Sequence, residues 1–138
     1  MLHFRYILIL FTTSLIFVLQ GCEDVLKKDI SAMDPIAELS ADELLFGLEE
    51  DENLYKEEIL SVEGALVEVN TKNGNLNFLM RGNTNQNHYV ICEMNHSMTL
   101  GNIEVSQGET IVIKGILKGY LNDAVLLNCV LDKTNKNE

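Results

Sequence analysis

The sequence is short of positive charge. Ten lysines and arginines stand against 21 acids, a formal net charge of −11 over 138 residues. No stretch concentrates the bases into a stripe, and a chain of this balance repels phosphate backbones and anionic lipid surfaces alike; nucleic acid is therefore not the expected partner. The signatures of common chemistry are also missing. There is no glycine-rich phosphate loop, no nucleophile elbow, no His-Glu-x-x-His and no Cys-x-x-Cys, which favours a non-enzyme without a cofactor or metal. His88, Cys92 and His96 are spaced by four, but on a strand each gap spans ~13 Å, so they cannot share one ion without a turn. The acids Glu49, Glu50, Asp51 and Glu52 have neither the spacing nor the glycine of an EF-hand loop and read as a solvated face.

What is present begins with an apolar run, Tyr6 to Leu19, behind His3 and Arg5. Its length and basic start make it a secretory signal rather than a membrane span. It ends in Leu19-Gln20-Gly21-Cys22, which resembles the lipobox of bacterial lipoproteins. That resemblance implies cleavage before Cys22, acylation of Cys22, and a protein anchored by lipid in the bacterial cell envelope, on the periplasmic or surface side of the outer membrane. Cleavage leaves 117 residues, enough for one modest core. The expected organisation is a signal peptide over 1–21, a lipid-anchored tether over 22–39, one domain over 40–132 and a disordered tail over 133–138. The negative charge is uneven: residues 23–68 hold fifteen acids and three bases, whereas residues 69–138 hold six of each.

The domain is organised around Glu58 to Asn70. Leu60 and Val62 alternate with polar residues before Gly64, and Ala65, Val67 and Val69 do so after it, the mark of a β-bulge at a glycine. A long first strand bent in this way can pair with two neighbours in turn and close a small barrel. Ahead of it a helix enters at Asp34-Pro35 or, preferably, at the capping box Ser40-Ala-Asp-Glu43, with Leu44, Leu48 and Tyr55 on one face. Asn73-Gly74 predicts a hairpin. The second strand, Asn75 to Arg81, directs Leu76, Phe78 and Met80 inward; the third, His88 to Met94, directs Val90, Cys92 and Met94 inward. A connection pinned by Leu100, Ile103 and Val105 leads to the fourth strand, with Ile111, Ile113 and Leu117 inward and bends at Gly115 and Gly119. The fifth, Ala124 to Leu131, places Leu127, Cys129 and Leu131 inward. Cys92 and Cys129 then lie on neighbouring strands, and their positions suit either a disulfide or two packed thiols.

This order of a helix, a bent strand with Val62-Glu63-Gly64, Cys92 on the third strand, Gly108-Glu109 before Ile111-Val-Ile-Lys-Gly115, and a final Leu127-Asn-Cys129 resembles the tRNA-anti-like family of OB-fold proteins. The resemblance covers about Ser40 to Leu131. It implies a mainly β domain, a five-stranded OB-fold barrel preceded by one N-terminal α-helix, and many relatives of this kind are exported or lipid-anchored proteins of unknown function. OB barrels bind through the outer face of the second and third strands and the adjoining loops. Here that face offers Asn77, Leu79, Arg81, Tyr89 and Ile91, with Tyr120 and Leu121 at the tip of the last hairpin. It could dock a peptide, a glycan or a partner domain, unless the helix covers Leu79 and Ile91. The expected function is non-catalytic binding of a protein or cell-envelope ligand; the alternative is a single-stranded nucleic acid or an oligosaccharide on the same face.

Overall fold

The computed structural model describes residues 29–84 and 86–132. The expected signal peptide, the expected lipidation site Cys22, the first part of the expected tether and the expected tail lie outside the described residues.

Strand β1 (Ala37–Ser40) leads directly into helix α1 (Ala41–Glu50). Ser40 is the N-cap: its backbone N–H donates to Glu43 Oε2 at 2.7 Å, and the Glu43 N–H donates back to Ser40 Oγ at 3.2 Å. This reciprocal capping box satisfies donors that a helix start otherwise leaves open, and it selects Ser40 over Asp34-Pro35. Ala41, Leu44, Leu45 and Leu48 are buried, while Phe46 remains 63% exposed. The helix stops at Glu50, so Tyr55 lies beyond it. Tyr55 adopts a left-handed φ of 60° and packs half-buried on the core.

One expectation is corrected at this end of the chain. Residues 29–39 are part of the domain rather than free tether. Ile30 is fully buried, and β1 pairs in parallel with β2 (Ile59–Lys72), from Ala37 opposite Leu60 to Ser40 opposite Glu63. Four residues carry too short a pattern to announce a strand; what holds them is a ladder to a segment more than twenty residues away.

Strand β2 is the long bent strand. Ile59 to Ala65 pair antiparallel with β5 (Thr110–Leu121), and Ala65 to Lys72 pair antiparallel with β3 (Asn75–Arg81), so the handover falls at Ala65. The parity change lies further along than expected. Leu60, Val62 and Leu66 are all buried, and the ladder slips only between Leu66 and Glu68, leaving Val67 as the extra residue and Val69 packed on the core. Gly64 serves a different purpose. A Cβ there would sit 3.0 Å from the Arg81 carbonyl oxygen and 3.2 Å from Ala41 Cβ, so the glycine lets helix and hairpin approach the strand.

Asn73 and Gly74 both have positive φ, 53° and 81°, as a primed two-residue hairpin turn requires. Strand β3 then returns with Leu76, Phe78 and Met80 buried. It pairs antiparallel with β4 (Val90–Met94), where Val90, Cys92 and Met94 are buried. A 3-10 turn at Leu100–Asn102 lies in the crossing to β5. Ile103 and Val105 pack on the core as expected, but Leu100 is 63% exposed.

Strand β6 (Asp123–Asp132) pairs antiparallel with β5 and parallel with β4. The β5–β6 ladder slips between Lys114 and Ile116 and again between Leu117 and Gly119, at the predicted bends. On β6 the buried residues are Ala124, Leu126, Asn128 and Cys129, not Leu127. Asn128, at φ 56°, breaks the alternation, and the β4–β6 ladder slips between Cys92 and Met94. The sheet order β1-β2-β3-β4-β6-β5, closed by β2–β5, is a five-stranded OB barrel of β2 to β6 with β1 added outside it. Helix α1 packs its buried side on the barrel core. Its Asp42 accepts hydrogen bonds from the N–H groups of Asn83 and Thr84 at 2.7 and 3.2 Å, which ties the loop after β3 to the helix.

Candidate functional site

Pleating turns alternate residues of β3 and β4 away from the core, and strand register arranges them in rows. In the first row, Asn70 of β2 faces Asn77 of β3, which faces Glu93 of β4. In the second, Glu68 faces Leu79, Leu79 faces Ile91, and Ile91 faces Val125 of β6. Lys72 faces Asn75 next to the hairpin turn. Asn70, Lys72, Asn73, Asn75, Asn77, Leu79, Ile91, Glu93 and Val125 line a groove of about 450 Å³. One row is polar and the neighbouring row is mostly aliphatic.

The polar row is cross-linked. Asn75 Nδ2 donates to Glu93 Oε1 at 3.0 Å, Asn77 Nδ2 donates to the Asn75 carbonyl oxygen at 3.1 Å, and Asn70 Nδ2 donates to Glu68 Oε1 at 3.0 Å. These bonds hold the amides in fixed orientations.

Of the seven residues expected on the ligand face, the groove gathers Asn77, Leu79 and Ile91. Helix α1 does not cover Leu79 and Ile91; both are half-exposed in the groove. Arg81 lies at the far end of β3, opposite Ala65, and is exposed. The Tyr89 N–H donates to Asp123 Oδ1 at 2.8 Å, which fastens the start of β4 to the β5–β6 hairpin. Tyr120 packs half-buried on the core; burial, with Glu49 and Asp123 nearby, pushes its hydroxyl above the ordinary tyrosine range. Leu121, at the hairpin tip, is 88% exposed and outside the groove. Sequence reasoning missed Asn70, Lys72, Asn73, Asn75, Glu93 and Val125. The signal available for them was the pairing across Asn73-Gly74, which sets Asn70 opposite Asn77 once the turn type is known.

Cys92 and Cys129 are fully buried free thiols. They lie on adjoining strands, but Cys92 faces Leu126, and Cys129 faces Met94. Cys92 Sγ contacts Met80 Sδ at 3.7 Å. Burial first, and then the neighbouring Cys92, push the Cys129 thiol well above its ordinary value, so it is held protonated. Among the described residues no three His, Cys, Asp or Glu side chains converge to hold a metal ion, and no helix is long and apolar enough to cross a membrane.

Comparison with known proteins places this geometry. The family model described as tRNA_anti-like matches residues 1–131. No curated protein matches the sequence. Among solved structures, the fold is similar to a protein of Klebsiella pneumoniae subsp. pneumoniae MGH 78578 described provisionally as a nucleic acid-binding lipoprotein. The two are 17% identical, with a TM-score of 0.57 over 70% of this chain and 91% of that one. Yeast Stn1 and Ten1 give 13% identity and a TM-score of 0.47, covering 72% and 64% of the two chains. The telomere capping protein Ten1 from Saccharomyces pombe gives 14% and 0.41, covering 75% and 86%. At these identities the likeness is one of fold.

Proposed function

Because this chain belongs to the tRNA_anti-like family and presents a groove built of amides and aliphatic side chains, we propose that it is a non-catalytic binding module. The observation that carries this reading is the groove itself. It lies on the face through which OB barrels take their ligands, Asn75 and Asn77 are fixed by hydrogen bonds, and an aliphatic row lies beside them. The ligand is a protein or another component of the cell envelope. The protein is held there by acyl chains on Cys22; the lipobox-like Leu19 to Cys22 and the lipoprotein description of the Klebsiella neighbour support that address.

A second reading, a single-stranded nucleic acid in the same groove, draws on the nucleic acid-binding description of that neighbour. Fluorescence anisotropy with a labelled oligothymidine at rising salt separates the two. Binding that falls steeply with salt marks the second reading, because phosphate contacts release counterions; no binding marks the first. Intact mass of the protein from native membranes tests the address. Residues 22–138 plus acyl chains is the expected mass, and an uncleaved, unmodified chain removes the envelope assignment.

A further inference from the structure

We propose that the groove recognises a basic, extended peptide segment of a partner protein, an inference that rests on the binding reading above. Asn70 and Asn75 each donate to a carboxylate, and Asn77 donates to a backbone carbonyl. All three partners can only accept, so each amide nitrogen must turn toward its partner and each Oδ1 must turn away from it. Each amide thus commits one of its two N–H groups internally and keeps its oxygen, beside one remaining N–H, for a ligand. With the second oxygen of Glu93, and Glu68 beside Asn70, the rim is rich in acceptors, and among the described residues Lys72 is the one cation lining the groove.

Acceptors select donors. A phosphodiester brings only acceptor oxygens and negative charge, whereas guanidinium and ammonium groups bring only donors and positive charge. The field of the whole domain has the same sign: residues 29–132 hold eighteen acids and five bases, which attracts a cationic partner and slows an anionic one. The aliphatic row completes the fit. Leu79, Ile91 and Val125 lie beside the polar row, so an arginine or lysine stem can lie along them while its head reaches the amide oxygens and Glu93. An extended peptide, with side chains alternating at strand spacing, brings one such residue to the groove and directs the next away from it.

The test uses the full-length protein in detergent micelles and three labelled probes: a short peptide alternating arginine with valine, its glutamate counterpart, and an oligothymidine. The arginine peptide should bind, with affinity falling as salt rises, and Glu93→Gln should weaken it about tenfold, since a charged hydrogen bond is exchanged for a neutral one. The glutamine oxygen can still accept from Asn75, so the fold is retained. Glu49→Gln, on the helix outside the groove, should leave binding unchanged. Equal loss in Glu49→Gln would overturn the proposal, because attraction would then follow net charge alone. Absence of arginine-peptide binding would overturn it as well. Oligothymidine binding that Glu93→Gln strengthens would remove the peptide while keeping the groove as the binding site; oligothymidine binding indifferent to Glu93→Gln, with no peptide bound, would remove both.

Discussion

Gly115 and Cys129 make a sharp test of how β5 and β6 pack. An alanine Cβ at Gly115 would sit 2.6 Å from Cys129 Sγ and 3.0 Å from Leu126 Cβ, inside a fully buried part of the barrel. Overpacking of this kind costs about 1–3 kcal/mol and a contact this short belongs at the top of that range, so after the ~0.5–1 kcal/mol regained because alanine is the better strand residue Gly115→Ala should lose about 2 kcal/mol. Cys129→Ala removes the sulfur and should lose about 1 kcal/mol on its own. In the double variant the shorter contact no longer exists, and adding alanine at 115 should then cost about 1 kcal/mol or less. The coupling is therefore about 1–2 kcal/mol in favour of the pair, as expected for residues in direct contact. Urea unfolding of the four proteins in reductant reads it, with melting temperature as a check at ~4 °C per kcal/mol. Additivity within ~0.5 kcal/mol would refute the reasoning, since it would mean that Gly115 is not held against Cys129.

Further expectations follow from single contacts. Ser40→Ala should lose about 1 kcal/mol of thermal stability by opening the capping box, and Glu43→Gln should retain most of it because the amide oxygen still accepts from Ser40. The two hydrogen bonds from Ser40 hold the Glu43 carboxyl below its ordinary 4.5, so only the part of the capping box that depends on the carboxylate's charge is present above that pH and lost as the pH falls further, while the Ser40 cap of the Glu43 N–H remains. Gly82→Ala should displace Asp42, whose carboxylate occupies the space an added Cβ would take; limited proteolysis near Asn83 should then become faster, and unchanged cleavage would count against the latch. Alkaline stability should fall as the pH rises above about 9.0, because the unfolded Cys129 thiol ionises there and the buried one does not; Cys129→Ala should flatten that limb in a pH series of melts. Leu121→Ser, at an exposed tip, should stay within ~0.5 kcal/mol of the parent by the same melts.

Features that depend on neighbours in the chain are legible in the residues: the capping box at Ser40, the turn at Asn73-Gly74, and the inward sets on β3, β4 and β5, together with the order of elements that resembles an OB fold. Each follows from local hydrogen bonding or from strict alternation, which few adjacent residues suffice to express. Where the ladders slip is set by the assembled barrel. The change of parity on β2 falls at Val67 rather than Gly64, and that on β6 at Asn128, because a bulge settles where two strands must stay in register with different partners at once. Strand β1 exists because β2 offers it an edge, and Ile30 is buried although no local pattern marks it. The groove belongs to this second kind. Asn70, Asn77 and Glu93 are separated in sequence by seven and sixteen positions, and it is the β2–β3–β4 register that sets them in one row. Hydrogen bonds to acceptors on neighbouring residues and strands then turn their oxygens outward, a property of the pairing that no single strand contains.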